Sequence, residues 1–326
     1  MAVTFYEQQA ANRRNSLLLV VLVGLLLGAL GFAIGYATSG YVEGAFLLTG
    51  MAIVFATVLS VGSYFAGDSL VLSASGARPV TQASHPQVMN VVQEMAIAAN
   101  VPLPRVYLID DSAPNAFATG RDPGHASIAV TSGLLEKLDR EELQGVIGHE
   151  LSHVRNLDIR FALLVAVLVG SIALLSDMFL RGFLRVGFGG RGGGRDRGGA
   201  GILILIMFVV AIVLAVVAPI FARLVQLAVS RQREYLADTS SVELTRNPSG
   251  LERALAKIAG DREVLEVANR ATQHLYFVNP IKKFEARASG LMATHPPIVD
   301  RINRLRTLRG APPLSGPEGL GLAAVD

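Results

Sequence analysis

His149, Glu150 and His153 stand together in the segment Gly148-His149-Glu150-Leu151-Ser152-His153, which reads H-E-x-x-H. On a helix, residues four apart project from one face, so the two imidazoles can offer nitrogens to a single zinc ion. Glu150 sits beside the first of them, placed to take a proton from a metal-bound water. Two solvent-exposed histidines on a surface helix would give the same letters. The neighbouring positions argue against that reading: Leu143, Val146, Ile147, Leu151 and Val154 form an apolar face, so the helix packs against a core.

A catalytic zinc needs a third protein ligand and one open position. The chain has no cysteine, so the third ligand is a His, Asp or Glu, and thiol catalysis, disulfides and iron–sulfur clusters are excluded. The segment Arg231-Gln232-Arg233-Glu234-Tyr235-Leu236-Ala237-Asp238 supplies candidates, again four apart. Glu234 is placed to ligate the metal. Asp238 is placed to accept the free ring N–H of a zinc-bound histidine and so fix its tautomer. A solvated charged face is the bland alternative for such a pair.

These residues need elements to hold them. Asp139 with Glu142 makes a capping box that opens a helix over 140–158, carrying the H-E-x-x-H segment. Ser84 with Gln87 is a second box, opening a helix over 85–99 whose apolar face is Val88, Val91, Val92, Met95 and Ala99. Three short strands are predicted between them, over 104–110, 115–120 and 126–131. Farther on, a helix stops at Asn247-Pro248, Ser249 with Glu252 caps the next, and Thr294 with Pro296 and Pro297 opens a last one that ends at Gly310.

At 51% hydrophobic and a mean hydropathy of +0.46, the chain is too apolar for an ordinary soluble protein. Residues 16–38 are an uncharged apolar run, roughly 30 Å long as a helix and longer than a signal-peptide core. A second run, 45–66, follows closely, and the two read as a transmembrane hairpin. Two more runs, 161–180 and 201–222, have spanning length, with buried core helices as the alternative; Asp177 and Pro219 interrupt them. The Gly/Arg-rich stretch between them contains G-x-G-x-x-G at Gly187, Gly189 and Gly192. No strand precedes it, so it reads as a flexible linker and not a nucleotide site.

The expected architecture is therefore an α+β integral membrane protein, predominantly helical, with a small zincin-like sheet and about four transmembrane helices. Its parts are a transmembrane hairpin over 1–66, a cytosolic zincin-like lobe over 67–158, a second hairpin over 159–222, a helical lobe with the third ligand over 223–310, and a flexible tail over 311–326. His153 precedes the third run and Glu234 follows the fourth, roughly 10 and 18 Å from their ends as helices, so the two return to one side, near the bilayer surface. The net charge of +3 gives no field for nucleic acid, and the basic excess suits residues flanking spans. Arg13 and Arg14 precede the first run and the first short link has no Lys or Arg, which puts the N-terminus inside. Arg181, Arg185, Arg191, Arg195 and Arg197 in the later linker pull the other way.

HELSHVRNLD together with SRQREYLAD, NAFATG and the late THPP resembles the HtpX-type membrane metalloproteases, gluzincins related to the CAAX prenyl proteases. The resemblance covers the chain from the first hairpin to about residue 309, apart from the glycine linker. It implies zinc ligation by His149, His153 and Glu234, Glu150 as the base, and Asp238 as an outer partner. It also implies a bacterial cytoplasmic (inner) membrane enzyme, its active site on the cytoplasmic side, that degrades damaged or misassembled membrane proteins. The strand with Asn115, Ala116, Phe117 and Ala118 corresponds to an edge that receives substrate by main-chain pairing; an ordinary edge strand would look the same. His295 and Arg301 are candidates for polarising the scissile carbonyl, against helix-capping and surface roles. His85, His125 and His274 lack ligand-like spacing and read as surface or core residues.

Two other readings compete. A membrane scaffold with a structural zinc needs a closed fourth position, yet no fourth His or Cys stands near the motif and Glu150 would have no task. A narrow-specificity prenyl-protein peptidase calls for an enclosed membrane chamber that four helices can hardly build.

Overall fold

A computed structural model describes residues 5–168, 231–261, 263, 276–277 and 296–314. The later apolar runs beyond residue 168, the Gly/Arg-rich linker, Thr294, His274 and His295 lie outside the described residues. Two compact units are formed. Among the described residues, one holds 5–13, 66–163 and everything from 231 onward, and the other holds 14–65 and 164–168.

The second unit contains most of helices α1 (Phe5–Ser39) and α2 (Val42–Ala74). Both are long and apolar enough to cross a membrane. Their surfaces leave Leu17, Leu25, Phe46, Leu47, Met51 and Val54 exposed, a distribution suited to hydrocarbon and poorly suited to water. The helices approach closely where glycine allows it. A Cβ on Gly31 would lie 2.6 Å from the Leu48 carbonyl oxygen, and one on Gly35 would lie 2.7 Å from the Ala45 Cα. Small residues four apart let apolar helices pack by backbone contact where no hydrophobic drive exists.

The first unit is an α/β lobe. Strands β1 (Arg78–Pro79), β2 (Arg105–Ile109), β3 (Ala116–Gly120) and β4 (Ala126–Thr131) form a mixed sheet in the order β1-β2-β4-β3. β2 and β4 are parallel, with Tyr107 opposite Ala129; β3 and β4 are antiparallel, with Ala118 opposite Ile128. β3 therefore lies at an edge. Around the sheet stand α3 (Pro86–Ala99), α4 (Ser132–Lys137), α5 (Arg140–Arg155), α7 (Arg231–Thr245), α8 (Pro248–Gly260) and α9 (Ile298–Leu308); a further helix, α6, is described over 158–168 and belongs to this unit as far as residue 163. The core joins Val91, Val92 and Met95 of α3 to Ile128 and Val130 of β4, to Val146, Ile147 and Leu151 of α5, and to Leu251 and Leu255 of α8.

The capping box expected for α5 forms: Asp139 Oδ1 accepts from the Glu142 N–H and Glu142 Oε2 from the Asp139 N–H, both at 2.9 Å. Two other expected caps do not. Pro86 takes the first position of α3, so His85 is its N-cap, and the Ser84 hydroxyl bonds within the preceding turn to Thr81. Pro248 likewise opens α8, with Asn247 as N-cap accepting from the Gly250 N–H at 3.1 Å. Proline is favoured at the first helical position because its missing N–H is not needed there. Glu252, freed from capping, binds Arg306 and Arg309. The α5 helix is also shorter than its apolar pattern predicts. It ends at Arg155, Leu157 adopts a left-handed φ of +60°, and the chain restarts as a helix at Asp158.

Candidate metal centre

α5 and α7 meet through small residues. A Cβ on Gly148 would lie 3.0 Å from Ser241 Oγ, and that hydroxyl donates to the Gly145 carbonyl at 2.6 Å. Glu234, Asp238 and Ser241 share one face of α7 by helical spacing. The contact at Ser241 thus aims Glu234 and Asp238 at the H-E-x-x-H segment of α5. Both carboxylates are buried there, so the solvated-face reading of the pair does not hold.

Each histidine is held by its Nδ1. His149 Nδ1 meets Asp238 Oδ1 at 2.9 Å, and His153 Nδ1 meets Asp158 Oδ2 at 2.9 Å. A carboxylate on Nδ1 keeps the proton there and leaves the Nε2 lone pair free. The two Nε2 atoms stand 3.1 Å apart. Glu234 faces both, with oxygens 3.6 Å from His149 Nε2 and 3.5 Å from His153 Nε2. Ligand atoms on a tetrahedral zinc lie about 3.3 Å apart, given bonds of about 2.0–2.1 Å. The three side chains therefore fit a small tetrahedral cation as two neutral imidazoles and one carboxylate.

The electrostatics point the same way. Burial works against the charged form of His153, but the hydrogen bond to Asp158 and the Glu234 charge raise its pKa to about 9. The field that holds a proton on His153 is one that favours a cation at its ring. His149 is pushed down to about 4 by burial, with the Arg301 charge adding to it against the pull of Asp238. Burial lifts the Glu150 carboxyl to about 7; the Glu234 charge adds to this and the His153 charge opposes it. The Ala118 N–H of β3 hydrogen-bonds to the Glu150 carboxylate. Its Oε1 is buried and accepts no hydrogen bond among the described residues, a costly state outside a functional site.

The other expected residues sort by geometry. Arg301 is fully buried, with Nε 2.9 Å and an Nη 2.7 Å from the two Asp238 oxygens and its other Nη on the Phe277 carbonyl. Its guanidinium stacks over the Phe277 ring, and the Phe277 ring meets His149 edge-on. Asn115 turns inward: its Oδ1 accepts from the Ala116 N–H, and its own N–H donates to Thr131 Oγ1. Phe117 is buried against Tyr276, and the Ala116 carbonyl accepts from the Phe277 N–H at 2.8 Å. His125 pairs with Asp122 on the surface.

Asp158 was not legible in the sequence as a histidine partner. A helix continuing to 158 would carry it around the helix axis, and only the turn at Asn156–Leu157 folds it back onto His153. The one available signal was an acid placed shortly after the second histidine.

The family description "Peptidase family M48" matches residues 82–309. "Protease HtpX homolog" of Streptococcus gordonii is 42% identical over 306 residues, covering 93% of this chain and 99% of that protein. The proteins of the same description from Caldanaerobacter subterraneus and Dictyoglomus thermophilum are each 42% identical, covering 94% of this chain and 98% and 95% of theirs. The crystal structure of S. mikatae Ste24p aligns with a TM-score of 0.46 at 17% identity, over 92% of this chain and 67% of that one, too distant to carry an argument. The HtpX resemblance read from the motifs thus extends along nearly the whole chain: it belongs to peptidase family M48, as a metalloprotease of the HtpX type.

Proposed function

We propose that this protein is a membrane-embedded zinc endopeptidase of protein quality control, cleaving damaged or misassembled membrane proteins from the cytoplasmic side of a bacterial inner membrane. The observation that carries the reading is the convergence of His149 Nε2, His153 Nε2 and the Glu234 carboxylate, with Glu150 buried alongside and one of its oxygens unpartnered among the described residues. His149, His153 and Glu234 hold the metal. Bound there, zinc supplies Lewis acidity that makes water a nucleophile near neutral pH and polarises a carbonyl.

Glu150 takes the proton of the attacking water and passes it to the leaving amine, a role suited to a buried carboxyl beside the metal site. Asp238 and Asp158 fix the two histidine tautomers. Arg301, committed to Asp238, acts as a positioning residue for His149 and not as a group that reaches substrate. A structural-zinc scaffold would have no use for a buried carboxylate oxygen without a partner. Two apolar helices, with Arg13 and Arg14 ahead of the first apolar run, support a membrane protein with its N-terminus inside. By length and apolar composition, the sequence runs 161–180 and 201–222 are the candidates for two further spans.

The direct test uses the full-length protein in detergent. Casein cleavage should stop on chelation, return with stoichiometric zinc and stay absent with magnesium. Activity that survives metal removal would end the assignment.

β3 receives the substrate as an added antiparallel strand. It is an edge strand beside the metal site, and main-chain pairing suits an enzyme that must accept many sequences. Ala118→Pro removes the N–H on this edge that also touches Glu150. Cleavage of every unfolded substrate should fall together, by about 10–100-fold for one lost buried hydrogen bond, with zinc content unchanged and melting followed in parallel. A stable, zinc-loaded Ala118→Pro protein that cleaves casein normally would reduce β3 to scaffold.

A further inference from the structure

Asn12 lies on α1, four residues ahead of the apolar run that begins at Ser16, and it is buried at 1% exposure. A buried side-chain amide must place its donors and acceptor on partners. Asn12 Nδ2 donates to Asp158 Oδ1 at 2.6 Å and to the Asn156 carbonyl at 2.9 Å. Its Oδ1 accepts from an Arg233 Nη at 3.1 Å, and that same nitrogen is 3.4 Å from Asp158 Oδ1. One turn earlier, Gln8 Nε2 reaches Asp158 Oδ1 at 3.3 Å. Gln9 also ties α1 to this region, but through the Arg155 carbonyl at 2.8 Å and not through Asp158.

The two oxygens of Asp158 are thus divided. Oδ2 holds His153; Oδ1 is held by Asn12, Gln8 and Arg233. The matching acid on the other histidine, Asp238, is clamped by the Arg301 guanidinium. Asp158 has a different clamp, and its shortest contact comes from a residue 146 positions away. It needs one, because Asp158 follows directly on the left-handed Leu157 at a helix break, where the local backbone alone does not fix the carboxylate. A carboxylate tied at one oxygen keeps the other in a fixed direction, which a metal-binding histidine requires of its outer partner.

We propose that Asn12 is a positioning residue for the metal centre: by holding Asp158 Oδ1 it keeps Oδ2 on His153. This one contact from α1 thereby tunes the affinity of the site for its metal. The inference rests on His153 being a ligand, as proposed above.

The test is zinc affinity of the full-length protein in detergent, by competition with a chromophoric chelator at fixed pH, with thermal melting recorded for each variant. Asn12→Ala should weaken zinc binding about tenfold, the low end for loss of an outer partner. Asn12→Leu, close in size and a better helix former, should do the same, and it serves if the alanine variant folds poorly. Gln9→Ala removes a single neighbouring contact, to the Arg155 carbonyl, without touching Asp158 and should leave zinc affinity unchanged. In an Asp158→Ala background, Asn12→Ala should add nothing, because residues acting through one another are not additive. Wild-type affinity in both Asn12 variants, or an equal Asn12→Ala effect with and without Asp158, would overturn the proposal. His153→Ala separates the two levels: if it keeps zinc, the ligand assignment fails and takes this inference with it.

Discussion

Glu150→Gln protein should purify with its full complement of zinc and cleave casein about 10²–10⁴-fold more slowly than wild type, the range of a positioned general base. Glutamine has nearly the same shape and can still accept the Ala118 N–H, so the metal site and β3 keep their places. What it lacks is the ability to hold and release a proton. The environment of Glu150 sharpens the expectation. The carboxyl is buried and lifted to about 7, by burial first and then by the Glu234 charge. A buried carboxylate with an unpartnered oxygen is a cost to the fold, so exchanging it for a neutral amide should leave the melting temperature equal or higher. Loss of activity with retained zinc and undiminished stability separates a chemical role from a structural one. Cleavage within a few-fold of wild type would remove Glu150 from the reaction.

Glu234→Ala should lose zinc outright, by more than the roughly 10–100-fold typical of an outer partner. The reason is the convergence of the two Nε2 atoms, 3.1 Å apart, with the Glu234 carboxylate, one oxygen of which lies 3.5 Å from His153 Nε2 and the other 3.6 Å from His149 Nε2. Among the described residues no other His, Asp or Glu joins that cluster, so nothing replaces the lost ligand. Asp238 makes the informative comparison. It touches His149 through Nδ1 and should tune affinity without abolishing it. Asp238 also neutralises the fully buried Arg301. Its alanine variant therefore also costs stability, because the buried guanidinium loses its two short contacts and keeps, among the described residues, only Glu234, at 3.7 Å, as an acidic partner. Asp238→Asn is the cleaner substitution: it keeps an acceptor and the volume while removing the charge. Metal analysis of Glu234→Ala and Asp238→Asn side by side should give no zinc in the first and weakened zinc in the second. Retention of tight zinc binding by Glu234→Ala would mean a third ligand elsewhere.

Local spacing determined the parts of this site that repeat with the helix. His149 with His153, and Glu234 with Asp238, are i, i+4 pairs, and each falls on one face whatever the rest of the chain does. The α5 capping box and the apolar length of α1 and α2 were legible for the same reason. Sequence spacing misled where proline competed: Pro86 and Pro248 each claimed the first helical position and displaced the Ser84 and Ser249 caps.

The tertiary structure alone decided which partners these residues found. Arg301 is placed on Asp238 across 63 positions, and Asn12 on Asp158 across 146. Asp158 itself reaches His153 only because Leu157 takes a left-handed conformation that its residue type does not favour. No periodicity encodes such pairings. They follow from helices brought together by packing, here through Gly145 and Gly148 against α8 and α7, where the absence of a side chain lets backbones approach closely enough to join α7 to the H-E-x-x-H helix.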